Sequence, residues 1–145
     1  MDAELRATRE RVVREHMEAE NQLDFDAALA TFKHPRYELI GLDRVYDGSS
    51  EVAEYFRTSR LPFPDQRNEL IALHHADDAV IVEFWLMGTH LGSLLGEEPT
   101  GNSFRVRMAA FFVFEGEGLV NERVYFNPNA ILEQVNGREQ PNGTK

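Results

Sequence analysis

The chain of 145 residues contains no cysteine. That excludes a disulfide framework, a thiolate metal site and a thiol nucleophile. Positive charge is scarce as well: 15 Lys and Arg stand against 25 Asp and Glu, a formal net charge of −10. Nucleic acid is therefore not an expected partner, because phosphate binding needs a basic surface that releases counterions. An acidic surface mainly keeps a protein soluble. No apolar run approaches the roughly 20 residues that span a bilayer, and Met1-Asp-Ala-Glu-Leu-Arg6 lacks the apolar stretch of a secretion signal. A cytoplasmic protein without a membrane partner is the expectation. Repeats and low-complexity tracts are missing too, and the five histidines form no H-E-x-x-H pattern, so no metal is expected.

What is present suits one globular domain over residues 1–145: 42% hydrophobic residues, ten of the 145 being phenylalanine, enough to build a sizeable core. The organising stretch is Val80-Ile-Val-Glu-Phe-Trp-Leu-Met-Gly-Thr-His90, too long and apolar for an edge strand. Phe104 to Phe114 returns after a loop bearing Gly and Pro, and Leu119 to Phe126 follows a Glu-Gly-Glu-Gly turn. Such runs joined by hairpins predict an antiparallel sheet over 68–75, 79–90, 103–115 and 119–127.

Ahead of the sheet the pattern is helical. Leu5, Val12, His16, Ala19 and Leu23 recur at spacings of seven, four, three and four, predicting an amphipathic helix over 4–22. Asp24 is the expected N-cap of a second short helix that Pro35 ends. A strand or hairpin reaches Asp47, Gly48-Ser-Ser50 caps a third helix through Val52, Tyr55 and Phe56, and Leu61-Pro-Phe-Pro-Asp65 stops it. Asn127 ahead of Pro128 predicts a closing helix through Val135, with a frayed tail from Asn136. Helices followed by a long curved meander make an α+β order, whose twisted sheet wraps a helix layer and leaves a cavity.

The order of elements, with Gly88-Thr-His-Leu-Gly92, Glu98-Pro-Thr-Gly101, Glu122-Arg-Val-Tyr-Phe-Asn127 and Ile131-Leu-Glu-Gln-Val135, resembles the SnoaL-like polyketide cyclase branch of the nuclear-transport-factor-2-like superfamily. The resemblance covers nearly the whole chain. It implies a cone-shaped barrel with N-terminal helices on a curved antiparallel or mixed sheet, a pocket for a hydrophobic small molecule, no cofactor, and a homodimer packed through the sheet face around Trp85.

Strand parity puts His90 on one face with Gly88, Leu86, Phe84, Val82 and Val80, and Trp85 on the other with Glu83, Met87 and Thr89. His90 is a candidate acid or base at the pocket mouth, and its position resembles a pocket histidine of the scytalone dehydratase relatives. The alternative is a structural histidine tied to the loop 92–100. Laying the chain against ketosteroid isomerase puts Glu122, Val124 and Phe126 on the pocket face, where a carboxylate among phenylalanines has a raised pKa. Otherwise Glu122 sits at the rim, solvated or paired with Arg105 or Arg107. His16 matches an oxyanion-binding tyrosine of that enzyme and is either a donor to substrate or a satisfied core group. Tyr37, Tyr46 and Tyr55 could each place a hydroxyl at the pocket or simply pack. Arg105 and Arg107 are either an anion clamp or a charge ladder.

Several groups that work in relatives are replaced. The aspartate used by SnoaL-type cyclases falls at Asn127, which also suffices as a helix cap. The base and protonated aspartate of ketosteroid isomerase fall at Ile40 and Ala109, and the Arg and two Asp of limonene epoxide hydrolase at Phe84, Leu86 and Val124. The expected lining of the site is thus Phe84, Leu86, Ile40, Val124, Phe126 and Asn127, with His90, Glu122 and His16 as the polar groups. Two functions are expected from this: cofactor-free proton-transfer chemistry (cyclisation, dehydration or isomerisation) on a hydrophobic, oxygenated polyketide-like or terpenoid substrate, or a non-catalytic small-molecule-binding or accessory dimeric protein; a purely dimerising domain would instead have a filled cone with no cavity.

Overall fold

The structure, a computed structural model, describes residues 2–137, so most of the expected frayed tail lies outside the described residues. Helix α1 spans Ala3–Asn21 and starts where the Asp2 carboxylate accepts the Leu5 amide at 2.7 Å, a cap worth about 1 kcal/mol. Its buried side is Arg9, Val13, His16, Met17 and Ala19. This corrects the face read from the sequence. Leu23 lies beyond the helix in left-handed backbone, φ 57°, and is exposed, while Val13 and Met17 take the core. Arg9 is buried because it ties down two hairpin turns, donating to the Gly116 and Asp77 carbonyls while lying over the Phe114 ring.

Helix α2, Phe25–Ala30, has the expected Asp24 cap, which accepts the Ala27 amide. It ends at Thr31, ahead of Pro35. Strands β1, Arg36–Leu39, and β2, Arg44–Asp47, form an antiparallel hairpin around a 3-10 turn at Ile40–Leu42. Helix α3, Ser49–Ser59, follows. No side chain of the Gly48-Ser-Ser50 run caps it; Glu51 reaches back to the Asp47 amide instead.

Strands β3, Arg67–His75, β4, Ala79–Thr89, β5, Ser103–Glu115, and β6, Gly118–Tyr125, complete a six-stranded sheet in the order β2-β1-β6-β5-β4-β3. The sheet is mixed, because β1 pairs with β6 in parallel. It is not closed: β2 and β3 remain its edges. Helix α4, Pro128–Val135, begins with Pro128 behind the Asn127 cap, as the sequence predicts. It covers part of β5 that β6 leaves unpaired, since the β5–β6 ladder reaches only Ala109 opposite Tyr125. There the Gln134 amide accepts from the Arg105 N–H at 2.8 Å and donates to its carbonyl at 3.1 Å. A backbone segment that would otherwise be a bare sheet edge is thereby satisfied.

The two sheet faces separate as parity requires. Val80, Val82, Phe84, Val106, Met108, Ala110 and Phe112 are buried on the inner face, each large apolar side chain contributing about 1.5–3 kcal/mol. On the outer face the Arg105 guanidinium lies 3.6 Å and the Arg107 guanidinium 4.9 Å from the Trp85 ring centroid. The two arginines therefore face away from the core.

Candidate active site

The parallel pairing of β1 with β6 builds the site. Tyr37 and Glu122 are register partners across it, and Glu122 is in turn opposite Phe112 on β5, so the three form a row on the inner face. Helix α1 lays His16 over this row, with its ring edge-on to Phe112 at 5.4 Å and to Phe32 at 5.3 Å. Glu20, one turn further along α1, adds a second carboxylate.

Hydrogen-bond geometry points to an imidazolium at His16. The Thr31 hydroxyl donates to the Ala28 carbonyl, leaving its oxygen to accept from His16 Nδ1 at 2.8 Å. The Tyr37 hydroxyl donates to Glu20 at 2.7 Å, leaving its oxygen to accept from His16 Nε2 at 2.7 Å. Both ring nitrogens are then donors, which only an imidazolium provides. Burial alone would lower the His16 pKa, but the Glu20 and Glu122 carboxylates outweigh it and push the pKa up to about 10.

The two carboxylates are not equivalent. Burial would raise Glu20, yet His16 beside it and Arg60 nearby hold it down at about 2. Burial raises Glu122 above the usual carboxylate range, with His16 opposing only in part. Oε1 of Glu122 lies 3.0 Å from His16 Nε2. That oxygen is buried, and the ring N–H is shared between it and the Tyr37 oxygen. A carboxylate held ionised and another raised above the usual carboxylate range are the makings of an acid–base site. Burial also keeps the hydroxyls of Tyr37 and Tyr55 protonated, as donors.

Glu122 opens on a cavity of about 50 Å³ lined also by Glu20, Tyr37, Tyr55, Arg60 and Gln66, with Phe84, Leu86, Met108 and Val124 as apolar wall. Leu86, Met108, Val124, Tyr55 and Gln66 are shared with an adjoining apolar hollow of about 180 Å³, which reaches Phe126 and Ile131. Of the residues expected at the site, Phe84, Leu86, Val124, Phe126 and Glu122 thus lie along these two spaces. Ile40 sits in the 3-10 turn, 42% exposed, and Asn127 caps α4; neither lines them. His16 lies behind Glu122 and does not line the cavity.

His90 is held elsewhere. Its Nδ1 accepts the Thr100 amide at 3.2 Å, and its backbone pairs with Asn102 and Gly101. The Thr100 hydroxyl continues the tie to the Val135 carbonyl at the end of α4. The ring belongs to a separate hollow with Leu94, Leu95, Glu97, Leu132 and Asn136.

Glu20, Arg60 and Gln66 escaped the sequence reading. Glu20 had a usable signal, standing four residues after His16 and so on the same helical face. Arg60 and Gln66 flank a proline-rich turn and carry no periodic signal. Although no metal motif is visible in the sequence, ligand atoms of His16, Glu20 and Glu122 lie within 4.8 Å of one another. That donor set would suit a small divalent cation only with Nε2 deprotonated.

Comparison with known proteins agrees with this architecture. The profile of the SnoaL-like polyketide cyclase family matches residues 10–135. No curated protein sequence matches. Among solved structures, a candidate polyketide cyclase from Xanthomonas campestris pv. campestris is 21% identical, with a TM-score of 0.79 over 90% of this chain and 98% of that one. A candidate SnoaL-like polyketide cyclase from Jannaschia sp. CCS1 is 15% identical, with a TM-score of 0.80 over 90% and 93%. IdmH from Streptomyces antibioticus, a candidate polyketide cyclase, is 19% identical, with a TM-score of 0.75 over 88% and 97%. At these identities the likeness to solved structures is one of fold. The family match spans most of the sequence, and the chain belongs to the SnoaL-like polyketide cyclase family.

Proposed function

We propose that the protein is a cofactor-free proton-transfer enzyme acting on a hydrophobic, oxygenated small molecule in the cytoplasm. The observation that carries this is Glu122: a buried carboxylate paired with His16 at 3.0 Å and lining the cavity at the end of an apolar hollow. Ionised Glu122 removes a proton α to a substrate carbonyl; the C–H electrons form the enolate and the charge moves to oxygen. Tyr55 and Gln66 line the cavity and supply donors for that oxygen. His16 acts through Glu122, fixing and tuning it, and is a positioning residue in this reading. His90 anchors the loop after β4 rather than meeting substrate. Cyclisation, dehydration and isomerisation all begin with this step.

The test is exchange of the methyl protons of 2-acetonaphthone for deuterium, followed by NMR. The wild type is expected to accelerate it and Glu122→Gln to lose about 100-fold or more, the usual scale of general-base catalysis. No acceleration, or one indifferent to Glu122→Gln, would sink the assignment.

A second reading rests on Asn127, which stands where SnoaL-type cyclases resemble one another in carrying a catalytic aspartate, and which here accepts the Asn129 amide as a helix cap. It makes the protein a binder of such molecules. Tight binding without exchange would favour it. In either case a homodimer through the outer sheet face around Trp85 is part of the proposal.

A further inference from the structure

Arg60 is the C-cap of α3 and lines the inner cavity beside Gln66 and Tyr55. Its guanidinium carbon lies 5.2 Å from the Phe25 ring centroid and 5.8 Å from that of Phe56, so the group is held between aromatic walls. Nη1 donates to the Ser59 hydroxyl at 2.9 Å. Nε is buried without a partner. Among the described residues no carboxylate oxygen lies within 4.0 Å of an Arg60 nitrogen, whereas other arginines such as Arg36 and Arg57 have one. A packed guanidinium with a buried, unused donor is unsatisfied in the free protein.

The charges around the cavity agree. The His16 imidazolium and the Arg60 guanidinium face one firmly ionised carboxylate, Glu20, which is already bonded to Tyr37. Glu122, the second carboxylate, pairs with His16 at 3.0 Å and not with Arg60, and the apolar hollow beyond contributes no charged side chain.

We propose that the ligand of this cavity carries a carboxylate, that Arg60 receives it, and that its apolar remainder extends along Leu86, Met108, Val124 and Phe126. The guanidinium edge is the donor geometry carboxylates take best. The inner space, about 50 Å³, exceeds the roughly 10–15 Å³ that one water needs and is the smaller of the two, which suits it to the carboxylate. The ring system is left to the outer hollow of about 180 Å³. The inference rests on reading these two spaces as the active site, and narrows the substrate to an apolar acid.

Calorimetric titration with 2-naphthoate and with neutral, nearly isosteric 2-acetonaphthone tests it. The acid is expected to bind the wild type at least tenfold more tightly than the ketone. Arg60→Met should abolish the difference, and Arg60→Lys should retain part of it. Equal affinities, binding of neither probe, or a preference that survives Arg60→Met would overturn the proposal. If the preference is absent while Glu122-dependent exchange of the ketone persists, the carboxylate alone is wrong. If the preference is present while exchange ignores Glu122→Gln, the carboxylate stands and the proton-transfer reading falls.

Discussion

His16 and Glu122 meet at 3.0 Å across the boundary between the first helix and the last strand, both buried. The pair ties the helical layer to the sheet at the floor of the cavity. Its neighbours Glu20 and Tyr37 decide how the proton is shared. The site's chemistry and part of the fold's stability therefore rest on the same four side chains.

Replacing His16 by Gln is expected to cost about 3–5 kcal/mol, because two buried carboxylates lose their cation. The pH dependence identifies the cause. An unfolded histidine titrates near 6.5 and folded His16 near 10, so its contribution is fully present below pH 6.5 and lost as pH rises through 10. Glu122, also raised, adds a loss in the same direction above its ordinary 4.5. Glu20 works at the other end, contributing above 4.5 and failing as pH falls through 2. Urea unfolding between pH 6.5 and 10 should show a falling stability in the wild type and a flatter profile in His16→Gln. Parallel profiles would contradict the imidazolium assignment.

His90→Leu removes the acceptor for the Thr100 amide and leaves that N–H without its partner. The expected cost is about 1–3 kcal/mol, with faster hydrogen exchange at Thr100. Ketone proton exchange should stay within about threefold of wild type, far from the general-base loss. A loss as deep as that of Glu122→Gln would return His90 to the chemistry.

Gly92→Ala should destabilise the protein by roughly 1–3 kcal/mol, as overpacking does. A Cβ there would stand 2.0 Å from the Leu61 carbonyl oxygen, and the Leu91 and Gly92 amides both bond the Pro62 carbonyl at 3.0 and 3.1 Å. The loop after β4 and the turn after α3 are thus clamped together, and both must move to admit a methyl group. An unchanged thermal midpoint would show that this contact is loose.

Trp85→Glu is expected to give a monomer in sedimentation at micromolar concentration where the wild type sediments as a dimer. Trp85, stacked under Arg105 and Arg107, is the large aromatic at the middle of the proposed contact face. A wild type that sediments as a monomer would remove the dimer altogether.

Local order was largely legible in the sequence. The caps at Asp24 and Asn127, the strands around Val80–Thr89 and 103–115, and the opposition of Trp85 to Phe84 follow from hydrogen-bond chemistry and side-chain alternation within a few residues. The same alternation put Leu86, Val124 and Glu122 on the inward face, where they line the cavity. Where one short signal had several solutions the sequence was less decisive: the buried side of α1 turned on Val13 and Met17, and Leu23 fell outside the helix.

Only the tertiary structure decided which polar groups meet. The parallel pairing of Tyr37 with Glu122 joins strands far apart in the chain, and nothing local to either specifies it. That pairing brings Glu122 to His16, makes Glu20 the ionised partner, and leaves His90 with Thr100. The protonation states follow from burial and from charges a few ångströms away, which are properties of the enclosure and not of the residue type. Periodicity is written along the chain, so the sequence by itself determined the layers and their faces; the electric environment of the site exists only once those layers close over it.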